Sequence, residues 1–219
     1  MITGLRAVLR GLSRLNQGGY LYVWCSVACA LLSLLVITAP AAWAGLVRLS
    51  WTAQRQPTAG WDDFWAGFRE NLVRGALIAV VNVVFWAIWI TNWLSYAPAP
   101  GIGYAILRGF WLLSALALIM VQLYAGPLYY AMATPTVIGA YRNAAVMLLR
   151  NPFFTIGVAF GVAVIAVISV ALPFAWALIT TGALACVATA AVIDRLRAVG
   201  VLPQEEPISY LVDPSYTDM

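Results

Sequence analysis

Histidine and lysine are both absent from this sequence of 219 residues. All 12 basic residues are therefore arginine, and 8 residues are acidic. Without imidazole, the chain cannot build a Ser-His nucleophile, a histidine metal ligand or a histidine-ligated haem. The sequence therefore predicts no enzyme of these classes, and we expect no bound cofactor.

Charge of either sign is also scarce. Charged residues make up 9% of the chain and hydrophobic residues 63%, whereas soluble domains carry roughly 25% charged residues. A net charge of +4 would fit a nucleic-acid partner, but the arginines stand beside apolar stretches, as membrane topology signals do. We therefore predict an all-α integral membrane protein with the lipid bilayer as its main partner.

The three cysteines, Cys25, Cys29 and Cys186, lie within apolar stretches rather than in polar loops. Two cysteines four residues apart on one helix could bind a soft metal. We interpret them instead as small apolar filler with free thiols, because buried cysteine commonly packs in this way. The sequence thus predicts no metal site.

Residues 1–17 have the spacing of an amphipathic helix. Arg6, Arg10 and Arg14 recur every four residues on a face that the apolar residues avoid. The segment lacks the long apolar region and cleavage site of a secretory signal. We expect it to lie flat on the membrane with its arginines toward lipid phosphates.

The lengths of the apolar stretches predict five transmembrane helices, because a crossing needs about 20 residues. The first is long and bent by Pro40. A single helix over 153–193 would be about 60 Å long, so we divide that stretch at Leu172-Pro173. The membrane domain is 18–198, the acidic tail is 199–219, and the spans are about 20–50, 75–93, 106–130, 153–171 and 174–193.

An aromatic stripe in the first loop predicts an interfacial helix. Asp62 and Asp63 stand in its first turn, where the helix dipole favours anions, and Glu70 and Arg74 have the spacing of an ion pair. The aromatics suit a membrane-interface belt, with a ligand cage as the alternative. Arg69 could equally pair with Asp62, Asp63 or a lipid. The predicted interaction surface is Trp61, Phe64, Trp65, Phe68, Arg69 and Arg74.

Polar residues inside the predicted spans are few. Asn82, Asn92 and Gln122 are the candidate polar intramembrane positions, and no Asp or Glu lies within the span limits. Ion-coupled carriers usually bury ionisable groups, so the pattern disfavours proton coupling. A neutral sugar could still contact the amides and tryptophans.

A short internal repeat divides the spans. Residues 68–72 and 149–153 are similar and each precedes a span. This predicts two similar hairpin units, each with an interfacial helix, followed by a last helix.

With five spans, eight arginines of the first loop, third loop and tail share one side, so the positive-inside rule predicts a cytoplasmic C-terminus. The three arginines of the first helix conflict with that assignment.

The chain resembles the YesL-like family of bacterial membrane proteins. The resemblance rests on the segments 35–41, 64–71, 141–145 and 151–152, of which Phe64-Trp65-Ala66-Gly67-Phe68-Arg69-Glu70-Asn71 is the most specific. It covers nearly all residues after Gly18, although Ala39 stands where the family pattern has glycine. Family members are often encoded beside sugar-uptake ABC transporters, so the resemblance implies an accessory role in carbohydrate uptake at the inner membrane.

Three functions are compatible with these features. The first is a non-enzymatic accessory protein that packs against other membrane subunits, such as an ABC transporter, or against a second copy. The second is a small permease for a neutral solute such as a sugar. An enzyme would have to use Asp62-Asp63, which we interpret as the start of a helix.

Overall fold

The chain folds as an assembly of helices in the computed structural model, which describes residues 1–56, 58–172 and 176–203. These residues contain no β-strand. The helices are α1 Ile2–Gly18, α2 Tyr20–Ser33, α3 Ala39–Ala53, α4 Trp61–Glu70, α5 Leu72–Tyr96, α6 Ile102–Ala131, α7 Val137–Arg150, α8 Pro152–Ala171 and α9 Thr181–Ala198. A π-helical segment, Trp176–Thr180, leads directly into α9.

Four of these helices are long and apolar enough to cross a membrane: Leu72–Tyr96, Ile102–Ala131, Pro152–Ala171 and Leu178–Ala198. The prediction of a helical protein with helices long and apolar enough to cross a membrane is confirmed. In their most apolar stretches, 11% of the α5 and α6 residues are buried by protein, against 67% in the last helix. The last helix is therefore central, and few residues of α5 and α6 are enclosed by protein.

The first predicted span, 20–50, is not one bent helix. Residues 34–38 turn the chain, α3 begins again with Pro40 in its first turn, and α2 packs against α3. Tyr22 near the start of α2 lies beside Ser50 near the end of α3, so the two helices are antiparallel. Helices of 14 and 15 residues rise about 21 and 22 Å, less than the roughly 30 Å hydrocarbon core.

The turn of this hairpin is apolar and exposed. Leu34, Leu35, Val36 and Ile37 are each at least 60% exposed, while Thr38 donates a hydrogen bond to the Leu35 carbonyl at 2.8 Å. Proline breaks the helix where the sequence predicted it would, because its ring excludes the preceding turn. The antiparallel packing of α3 on α2 after this break depends on tertiary contacts, and Pro40 alone does not determine it.

Glycines bring α3 and α4 into backbone contact. A Cβ atom at Gly67 would lie 2.9 Å from the Cα of Gly45, so only glycine fits. This packing aligns Arg48 with Glu70, and they form an ion pair. The predicted Glu70–Arg74 pair is wrong, because α4 ends at Glu70 and the helix break removes the required spacing.

The amphipathic N-terminal helix packs against protein. Its small face, with Gly4 and Gly11, contacts α8 and α9, whereas Leu9 of the predicted apolar face is 66% exposed. Arg10 pairs with Asp194 near the end of α9. The structure thus gives α1 a face that packs on two apolar helices, where glycine permits a close approach, and its flat position on the membrane surface stays a prediction.

Helices α8 and α9 are antiparallel neighbours. The hydroxyls of Ser169 and Thr180 are 2.6 Å apart, and at the opposite end the Arg195 guanidinium stacks 4.0 Å from the Phe154 ring. The predicted turn at Pro173, the first residues of the last predicted span and tail residues 204–219 lie outside the described residues.

We predict that Gly11→Ala destabilises the protein and that Gly109→Ala does not. The new Cβ atom at position 11 would lie 2.7 Å from the Cα of Val187, whereas position 109 has open space around it. Overpacking costs about 1–3 kcal/mol, and alanine in an open helical position gains up to about 1 kcal/mol. Thermal unfolding in mild detergent should separate the two variants, and equal melting temperatures would contradict the α1 packing.

Candidate functional site

Asn71 forms the junction between α4 and α5. Its side-chain amide donates to the Gly67 carbonyl at 2.8 Å and to the Tyr130 hydroxyl at 3.2 Å. That hydroxyl donates in turn to the Ala44 carbonyl at 3.2 Å. The buried amide therefore links α4 to α3 and α6 while it ends one helix and begins the next.

Beyond this junction lies a cavity of about 730 Å³ between α3, α5, α6 and α7, bounded also by the hairpin turn. Cavities of roughly 300–1,000 Å³ accommodate small organic ligands. The hairpin creates part of the wall, because Val36, Pro40 and Trp43 face α5 across the space.

One face of α5 lines the cavity at steps of four residues, with Arg74, Ile78, Asn82, Trp86 and Ile90. At the helical rise, the distance along α5 from Arg74 to Ile90 is about 24 Å. The polar members stand at one end and in the middle, and the far end is apolar. None of the described residues that line the cavity is acidic.

An amide pair bridges the middle of the cavity. The Gln122 side-chain amide of α6 donates to the Asn82 carbonyl oxygen of α5, so two of the three predicted intramembrane polar residues meet. Asn92 does not join them, because its amide donates to the Ile88 carbonyl of its own helix at 2.8 Å. A bond of this kind gives a lipid-facing amide a hydrogen-bond partner without a second helix.

The polar end of the cavity is formed by Arg74 and tyrosines. Arg74 donates to the Tyr129 hydroxyl, and its guanidinium lies 5.9 Å from the Tyr129 ring centre. Tyr141 also lines the cavity and stands near the start of α7, which follows the end of α6 that carries Tyr129. Burial raises the pKa of its phenol, so the hydroxyl keeps its proton at neutral pH. The end therefore presents a cation and neutral donors.

The other members of the predicted interaction surface divide between core and exterior. Phe64 is fully buried and Phe68 is 8% exposed, so both pack in the core against α3 rather than on a surface open to a partner. Trp61 is 40% exposed, and the Arg69 guanidinium lies 6.0 Å from the Trp65 ring centre. Asp63 accepts a hydrogen bond from the Gly60 amide at 3.0 Å, as in a helix start.

Sequence reasoning missed the aromatic lining of the cavity, namely Trp43, Trp86, Tyr129, Tyr130 and Tyr141. One signal was present: Arg74, Asn82 and Trp86 recur on one face of an otherwise apolar helix. The contributions of α3 and α7 had no such signal, because they reach the cavity through tertiary packing: the hairpin brings α3 to α5, and α7 packs on α6.

Cys25, Cys29 and Cys186 are buried and unpaired, and within the described parts of the chain no group of three or more His, Cys, Asp or Glu residues could hold a metal ion. No protein-family model, curated protein or solved structure matches the chain. The resemblance to the YesL-like family stays a prediction.

We predict that Asn82→Leu destabilises the protein and that adding Gln122→Leu restores much of the loss. The single change leaves the Gln122 amide unpaired in an apolar wall, at a cost of about 0.6–2 kcal/mol. Removing both partners is nearly neutral. Melting temperatures in detergent would show this pattern, and Asn92→Leu serves as the control because the Asn92 amide donates to the Ile88 carbonyl of its own helix. A double variant less stable than the single would contradict the pairing.

Proposed function

We propose that the protein is a non-enzymatic, multi-pass protein of the bacterial inner membrane that binds a small amphipathic molecule in the cavity between α3, α5, α6 and α7. The observation that carries this proposal is the cavity itself. It combines an apolar wall with a few polar groups on separate helices, which is the usual composition of a small-molecule site.

The position of the cavity on the membrane-spanning helices determines what could reach it. Val83, Ala87 and Ile90 line it and are also exposed, so the cavity opens toward the surroundings of α5. In a bilayer those surroundings are hydrocarbon. An amphipathic molecule could then enter from the lipid phase without crossing the helices.

For the membrane arrangement, we propose four spans and a hairpin, α2 with α3, that enters and leaves on one side. The predicted alternative is five spans, in which 20–50 crosses and α1 lies opposite the C-terminus. Two observations support the hairpin: both its helices are shorter than a crossing requires, and Arg10 of α1 pairs with Asp194 close to the C-terminal end of α9.

The hairpin arrangement also removes the conflict over arginine placement. Eleven of the 12 arginines then belong to segments on one side, and Arg108 alone stands near the other, where it donates to the Ala97 carbonyl at 2.8 Å. By the positive-inside rule the arginine-rich side, including the C-terminus, is cytoplasmic.

As an accessory protein, the chain would act through contacts with another membrane subunit, such as an ABC transporter for carbohydrate, or with a second copy. The resemblance to the YesL-like family motivates the carbohydrate context. Outside the cavity, the exposed part of the predicted interaction surface is Trp61 and Arg69, which offer an aromatic and a cation to such a partner at the cytoplasmic end.

A permease for a neutral solute is the second candidate. The Asn82–Gln122 pair beside Trp86 favours it, because amides and an indole ring suit a sugar. A carrier must also deliver its solute to the other side. Flux of a labelled oligosaccharide into proteoliposomes would therefore distinguish the permease from a protein that only binds.

Single-cysteine labelling tests the membrane arrangement, after replacement of the three native cysteines by alanine. We expect a membrane-impermeant maleimide to label Ala97→Cys in intact cells and Thr134→Cys only after permeabilisation. Both arrangements share these two results. Asn16→Cys, at an exposed position near the end of α1, decides between them: labelling only after permeabilisation supports the hairpin, and labelling of intact cells supports five spans.

Photocrosslinking tests the cavity as a binding site. A photoreactive alkyl amphiphile added to the full chain in neutral detergent should give saturable adducts on α5 and α6 peptides that line the cavity. Ala87→Trp, which narrows the cavity, should lower these adducts several-fold, and Ala105→Trp on an exposed face of α6 should not. Adducts that do not saturate, or that Ala87→Trp leaves unchanged, would refute the proposed function.

A further inference from the structure

We propose that the cavity ligand is a phosphate-headed lipid, with its phosphate at the Arg74 end and its hydrocarbon chain along α5 toward Ile90. This inference rests on the proposed function and names the ligand class of that same site. It depends on three features of the cavity: the sign of its charge, the position of its hydrogen-bond donors and the apolar length beyond them.

The charge of the cavity has one sign. Arg74 is the charged residue among the described residues that line it, and no carboxylate faces it there. The nearby carboxylate of Glu70 is held by Arg48 instead. An anionic group at this end would therefore gain attraction and meet no repulsion from the cavity wall. Since Arg74 is exposed, a head group could occupy the cavity mouth while remaining partly hydrated.

Donors surround the same end. Tyr129 accepts from Arg74, so its own hydroxyl proton can still be donated, and the Tyr141 hydroxyl makes no hydrogen bond to the described residues. Guanidinium groups bind phosphate through two parallel hydrogen bonds. A phosphate has enough acceptor oxygens for the guanidinium and both tyrosines. A carboxylate also accepts a bidentate guanidinium, but its acceptor sites lie in one plane, whereas tetrahedral phosphate oxygens can face donors on three separate helices.

Beyond the donors the cavity is shaped for hydrocarbon. Ile78, Trp86 and Ile90 continue along α5, and Ile119 and Leu123 face them from α6. A free sugar would leave its hydroxyls unpaired against this wall, at a desolvation cost. The Asn82–Gln122 pair satisfies itself at mid-length, so an apolar chain can pass it without stranding an amide.

Native mass spectrometry of the full chain in a neutral polyoxyethylene detergent tests this inference. The probes are phosphatidic acid, oleate and dodecyl maltoside, each titrated separately. We expect phosphatidic acid to bind most tightly. Arg74→Gln should weaken it roughly 10-fold or more, as expected for loss of a charge-assisted hydrogen bond, and Tyr129→Phe should weaken it less. Arg150→Gln, an exposed change outside the cavity lining, should have no effect.

The outcomes separate this inference from the proposed function. Tighter binding of oleate would overturn the phosphate head. Equal binding of all three probes, or an equal loss in Arg74→Gln and Arg150→Gln, would overturn the role of Arg74. Dodecyl maltoside binding could be abolished by Ala87→Trp and unaffected by Arg74→Gln. That result would support the cavity as a binding site but would overturn the phosphate head in favour of a neutral ligand. If no probe binding responds to Ala87→Trp, both proposals fail.

Discussion

The hydrogen bonds of Asn71 hold the point at which four helices meet. One amide group contacts the Gly67 carbonyl of α4 and the Tyr130 hydroxyl of α6, which reaches the Ala44 carbonyl of α3. Because the group is buried, each bond that it makes avoids a desolvation cost. The angle at which α5 leaves α4, and hence the position of the cavity face of α5, depends on this junction.

Hydrocarbon thickness imposes the second constraint. Helices α2 and α3 are too short to cross, and their return places the hairpin turn against α5 and completes the cavity wall. The N-terminal helix packs on α9, and its Arg10 meets Asp194 near the end of that helix. A single local event, the break before Pro40, thus bears on both the cavity and the proposed membrane orientation.

The positive charge of the cavity depends on which charged residues pair beside it. Arg48 forms an ion pair with Glu70, so Arg74 donates to the Tyr129 hydroxyl instead of pairing with a carboxylate. Had Glu70 and Arg74 paired, the polar end of the cavity would be neutral. The break at Asn71 prevents that pairing, and the positive charge at the mouth is therefore a consequence of the backbone geometry.

The sequence by itself determined the helical class, the break before Pro40 and four of its five predicted spans as long apolar helices, because these depend on composition, run length and the local geometry of proline. It also indicated Asn82, Gln122 and Arg74, whose polarity contrasts with their surroundings. Only the tertiary structure decided that 20–53 folds back, that Phe64 and Phe68 are core residues and that α1 packs on α8 and α9. Those outcomes depend on backbone contacts at Gly4, Gly11, Gly45 and Gly67, and a glycine does not reveal in sequence which helix it will meet.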